Sequence, residues 1–104
     1  YGICRVSVDG RFTEVNPALA QMLGYPGTAA LCEADLGDLY VDPSARAAVL
    51  RRHAEGEALV SGVETVWRRR DGTTLPVRLH SREVRGASGA IVYYEAFVKD
   101  MEAL

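Results

Sequence analysis

The sequence predicts an α+β domain in which five antiparallel strands form one sheet and a block of short helices covers one of its faces. Three observations carry this. Apolar and polar residues alternate with a period of two up to Val15 and again from Leu59 onward. The dipeptides Asp9-Gly10 and Asp71-Gly72 sit between alternating runs, where hairpins need tight turns. All helix signals fall in one block between these regions, the pattern of an α+β chain rather than an alternating α/β one.

Taken in order, residues 3–8 alternate so that Cys4, Val6 and Val8 share one face while Arg5 and Ser7 share the other. Asp9-Gly10 is expected to form a type I′ turn, and residues 11–15 return as the second strand. Asn16-Pro17 is a cap followed by a proline at the first helical position, so a short helix spans 18–23, with Leu19, Met22 and Leu23 inside and Gly24 as its stop. Residues 25–40 are broken by Pro26-Gly27 and Gly37, which leaves room for two single-turn helices. Asp42-Pro43-Ser44 opens a longer helix to about Glu55, with Ala45, Ala48 and Val49 along one side, Arg46, Arg51 and Arg52 largely exposed, and Gly56 ending it. Three long strands follow, over 59–70, 73–85 and 90–100.

The chain has 104 residues, 12 basic and 14 acidic, for a net charge of -2. That balance argues against binding nucleic acid, which needs a basic excess. The longest unbroken apolar stretch, from Ala90 to Tyr94, is far short of the ~20 residues of a bilayer span, so no membrane insertion of this segment is expected. Cys4 and Cys32 have neither metal-ligand nor secretory spacing, which points to a reducing cytoplasm and no metal. The expectation is a single domain over 1–104, cut from a longer protein, with 99–104 opening a linker.

Four stretches in this order and spacing, GICRVSVDGRFTEVNPALAQMLGY, LYVDP, WRRRDGTTLPVRL and GAIVYYEAFVKDM, resemble the PAS sensory domain over essentially the whole chain. The resemblance implies a sheet in spatial order 2-1-5-4-3 with helices over its concave face. It also implies an input module of a bacterial signal-transduction protein, with a sensor histidine kinase as the leading output and a diguanylate cyclase as the alternative. A homodimer and a covalently linked output domain are the partners it implies, and a regulatory rather than enzymatic role. Lys99-Asp100-Met101-Glu102 is similar to the Asp-Ile-Thr exit motif of the family: Asp100 matches as the signal exit, and Glu102 replaces the threonine.

The family alignment turns Tyr94, Ala96 and Val98 inward, and period-two logic adds Leu75, Val77 and Leu79 together with Val63, Thr65 and Trp67. The candidate ligand-binding set is therefore Val6, Val8, Met22, Leu31, Val63, Thr65, Trp67, Val77, Leu79, Tyr94, Ala96 and Val98. Such an interior suits a small apolar or aromatic ligand, and equally a core filled by Trp67 and Tyr94. No cofactor is expected. The thiol-bearing motif of flavin photosensors is replaced by Ala34-Asp35-Leu36-Gly37-Asp38-Leu39, Cys32 falls about three residues early, and Val77 and Val98 stand where polar flavin contacts belong. Haem would need an axial histidine near Arg46, whereas His53 lies at the helix end and His80 points out of the sheet. The serines lack evident His and Asp partners, and Arg68-Arg69-Arg70 reads as an exposed strand end. On the outer face Ile3, Val66, Val84 and Phe97 are more apolar than a solvated sheet requires, which marks a dimer face.

Overall fold

In the computed structural model, which describes residues 1–102, the chain runs β1 (Gly2–Ser7), β2 (Phe12–Val15), α1 (Pro17–Met22), α2 (Thr28–Cys32), α3 (Leu36–Leu39), α4 (Pro43–Ala54), β3 (Leu59–Arg68), β4 (Thr74–Arg85) and β5 (Ile91–Asp100). The strands form one antiparallel sheet in the order β2-β1-β5-β4-β3, as expected. Lys99 and Asp100 are the last residues of β5 rather than the start of a linker, because both pair with β4; residues 103 and 104 lie outside the described residues. Among the described residues no helix is long and apolar enough to cross a membrane.

All three hairpins close in one way, and it is not the type I′ turn. The Gly10 N–H donates to the Ser7 carbonyl at 3.0 Å and the Ser7 N–H to Arg11 at 2.8 Å. Gly72 and Gly89 repeat the pattern on Arg69 and Gly86. Each loop therefore has three residues, a type I turn ended by a glycine at φ between +85 and +88°, while among the described residues none other than glycine has positive φ. A type I′ turn would need positive φ at Asp9 and Asp71 as well. The extra loop residue takes Val8 out of β1, so Val8 is 57% exposed and leaves the predicted ligand set. For the same reason Arg69 and Arg70 belong to the β3–β4 loop, and β3 ends at Arg68.

The inner face is otherwise as expected. Register pairs Val63 with Leu79, Thr65 with Val77 and Trp67 with Leu75, and places Cys4 beside Ala96 and Val6 beside Tyr94. A bulge at Ser61 and Gly62 keeps Val60 on the same face as Val63, with Val60 opposite Ser81.

The helices are anchored by their caps. Asn16 Oδ1 accepts from the N–H groups of both Leu19 (3.0 Å) and Ile3 (2.9 Å), tying the start of α1 to β1. Gly2 lets α1 come close, since a Cβ there would lie 2.6 Å from Leu19 Cδ1. Asp35 caps α3 and Asp42 caps α4 through the N–H groups of Gly37 (2.8 Å) and Ser44 (3.0 Å). Thus α1 packs on β1, α2 on β2, and α3 and α4 on β3.

Candidate functional site

Between the inner face of the sheet and α3 and α4 lies a cavity of about 50 Å³. Six of the predicted ligand residues line it: Val6, Val63, Trp67, Leu79, Tyr94 and Ala96. Five do not. Leu31, Val77 and Val98 are fully buried in the dry part of the core, Met22 packs against that part from α1, and Thr65 faces inward beyond the cavity wall. The sequence reading missed Ser7, Leu36, Tyr40, Arg46, Val49, Leu50, Val60 and Ser81, which also line the space along with Cys4.

Trp67 is 1% exposed and meets Tyr40 edge-on, with ring centroids 5.5 Å apart. Burial pushes the Tyr40 hydroxyl up to about 12, against smaller downward pulls from the Trp67 indole and the Arg46 charge, so it stays protonated at neutral pH. The indole N–H comes close enough to exert that pull but makes no hydrogen bond of acceptable geometry. Cys4 is similarly inert. Burial pushes its thiol up to about 12, despite a backbone hydrogen bond at Ala96 that favours the thiolate.

Arg46 was expected to be exposed and is instead half-buried. It stands three residues before Val49 and seven before His53, so helical spacing brings all three to the face that meets the sheet. Its Nε is buried without a partner.

His53 also departs from expectation. It is 1% exposed, with Nδ1 2.7 Å from the Glu57 carbonyl and Nε2 3.0 Å from Ser81 Oγ. A carbonyl only accepts, so Nδ1 carries the proton, and the Ser81 hydroxyl donates to Nε2. Both ring nitrogens are committed, which leaves neither for an iron. Glu83 lies beside this pair, with Oε1 3.1 Å from Arg85 Nε and Oε2 3.9 Å from His53 Nδ1. Ser81, His53 and Glu83 resemble an activated hydroxyl in outline. Ser81 itself is paired with Val60 of β3 and Ala96 of β5.

The dimer-face residues do lie outward but not together. Ile3 pairs with Phe97, Val66 lies opposite Pro76, and Val84 lies opposite Tyr93. A row of charges, Glu14–Arg5–Glu95–Arg82, separates Val84 from Ile3 and Phe97. The arginines at the end of β3 and in the loop after it are engaged: Arg68 donates to the Asp38 and Tyr40 carbonyls, Arg69 pairs with Glu102 at 2.6 Å, and Arg70 sits over the Tyr25 ring. Asp100 Oδ1 accepts from the Glu102 N–H at 2.8 Å, so the exit from β5 is held by a carboxylate turn and by the Arg69–Glu102 pair.

A five-stranded antiparallel sheet in the order β2-β1-β5-β4-β3, covered on one face by short helices around a small interior, defines the fold class. The PAS fold family model matches residues 1–101, and the chain belongs to that family. A PAS domain of a protein from Colwellia psychrerythraea superposes with a TM-score of 0.83 at 15% identity, covering 99% of this chain and 87% of that one. A light-oxygen-voltage domain studied with a flavin analogue gives 0.81 at 19% identity, covering 96% and 76%. A PAS domain from a two-component sensor histidine kinase gives 0.75 at 18% identity, covering 95% and 83%. No curated protein sequence matches.

Proposed function

We propose that this PAS domain is the input module of a signal-transduction protein, a sensor histidine kinase before a diguanylate cyclase, and that it responds to a small molecule in the cavity under α3 and α4. One observation carries this reading. Tyr94 and Ala96 line the cavity, and the strand that holds them ends at Asp100, so occupancy and exit share one element. A ligand acts only if it binds two arrangements of that exit with different affinity. The protein works in the cytoplasm, as a homodimer joined to its output domain; the pairing of Ile3 with Phe97 on the outer face supports self-association there.

Neither a flavin nor a haem is the expected ligand. An engineered cavity of about 150 Å³ takes up benzene, whereas the space here is about 50 Å³ with Trp67 and Tyr40 packed beside it. Residues 34–39 also offer no cysteine to a flavin. The same filling by Trp67 favours a second reading, a dimerisation module without ligand.

Native mass spectrometry of freshly purified protein, with a visible absorbance spectrum, separates the readings. A colourless adduct is expected. A flavin or haem band contradicts the ligand class, and a ligand-free mass that no added metabolite changes favours the second reading.

A further inference from the structure

We propose that the cavity takes a short-chain monocarboxylate held by Arg46, an inference that rests on the small-molecule reading above and names the ligand's class. Five arginines are partly buried. Four of them hold a carboxylate: Arg5 with Glu95, Arg52 with Glu57, Arg69 with Glu102 and Arg78 with Glu64. Arg46 is the fifth, and among the described residues none of its nitrogens makes an ion pair or hydrogen bond. Asp35, whose Oδ1 borders Gly37 on the same side as Arg46 Nη1, accepts the Gly37 N–H and makes no ion pair with Arg46.

The guanidinium is placed rather than loose. A Cβ on Gly10 would lie 2.6 Å from Nη2, and one on Gly37 3.7 Å from Nη1, so two side-chain-free backbone segments bracket it. Leaving a buried donor unpaired is costly, and more so for a charged group, so a partly buried cation without a partner is expected to find one.

The cavity wall carries a surplus of donors. Arg46 Nε and the Trp67 indole N–H are both buried and unpaired, and the Tyr40 hydroxyl stays protonated. The ligand must therefore bring acceptors and a negative charge. Planar carboxylate matches the guanidinium fork, and the apolar walls formed by Val6, Val63 and Leu79 suit a short carbon tail. Size sets the limit: at roughly 10–15 Å³ per water-sized group, about 50 Å³ holds roughly three to five such groups, a molecule the size of acetate to propionate. Arg46 and Leu50 line both the cavity and an outer groove beside Gly37, Pro43 and Ala47, so Arg46 borders the interior and the surface at once.

Calorimetric titration of the chain with acetate and propionate, beside acetamide and propionamide as neutral isosteres, tests this. At least one acid is expected to bind about tenfold or more tightly than its amide, as a charge-assisted contact requires. Arg46→Gln should abolish that preference, and Arg46→Lys should retain part of it. Acids and amides binding equally, with no effect of Arg46→Gln, overturns the carboxylate inference and leaves the small-molecule reading standing. No binding of any of them, when another small molecule does bind, also overturns it; no binding of any small molecule overturns both. If Arg46→Gln fails to fold, the acid-to-amide ratio of the unaltered protein decides.

Discussion

The two ends of the covered face of the sheet are built to different standards. Where α1 and α2 lie over β1 and β2, Leu19, Leu23 and Leu31 are fully buried and Gly2 gives up its side chain so that α1 can press against the strand. Where α3 and α4 lie over β3, the packing leaves a cavity, and the three buried side-chain polar atoms without hydrogen-bond partners among the described residues, on Arg46, Trp67 and Glu83, belong to this side. Dry packing contributes stability, whereas voids and orphan donors cost it. A chain that keeps such costs at one end only is using the tight end as a scaffold and the loose end as a site.

The sharpest way to break this contrast is Trp67→Ala, which removes the largest fully buried side chain. It should cost about 3–5 kcal/mol in chemical denaturation and enlarge the cavity enough to admit benzene-sized ligands. A loss below about 1 kcal/mol would mean that Trp67 is not packed as described.

Next comes Gly2→Ala at the scaffold end. The new methyl would meet Leu19 not only at Cδ1 but also at Cβ (3.0 Å) and Cα (3.3 Å), so α1 itself must move. Overpacking of this kind costs about 1–3 kcal/mol. Thermal melts should show the loss, and ligand binding at the other end should change little.

His53→Leu probes the site end differently. It removes the partners of Ser81 Oγ and the Glu57 carbonyl, and a destabilisation of about 1–3 kcal/mol is expected. An unchanged denaturation midpoint would show that this buried network contributes nothing.

The smallest effect belongs to the uncovered face. The hydrogen bond from Arg82, with a smaller one from Arg5, holds the Glu95 carboxyl below its ordinary value of 4.5. A depressed folded-state value means that the pair's contribution is fully present above 4.5 and is lost as pH falls through the lower, folded value. Glu95→Gln should therefore flatten the acid limb of stability against pH and cost no more than about 1 kcal/mol at neutral pH, as surface ion pairs do.

Much of this was legible in the sequence because strand alternation has a period of two, and one correctly placed residue sets a whole face. Trp67, Leu79 and Ala96 were placed in this way, as was the outward turn of Arg78 and Phe97. Val8 failed because Asp9-Gly10 serves two loop lengths, and the longer one removes a residue from β1. Gly62 was the overlooked sign of the bulge that brings Val60 inside. His53 and Arg46 were missed because a polar side chain on a helix is assigned to water by default, although their spacing from Val49 already put them on its face. Burial of a polar group is a tertiary fact, and only the partners at Ser81 and Glu57 make it tolerable for His53.

Trp67 is the one tryptophan of the chain, so its indole N–H gives a single, unmistakable NMR signal. Titration with a short monocarboxylate should move that signal together with the amides of Tyr94 and Ala96, while the outward-facing Phe97 stays in place. A ligand that saturates the protein and leaves the Trp67 signal unmoved would contradict the account, because the loose end of the interior would then not be the site.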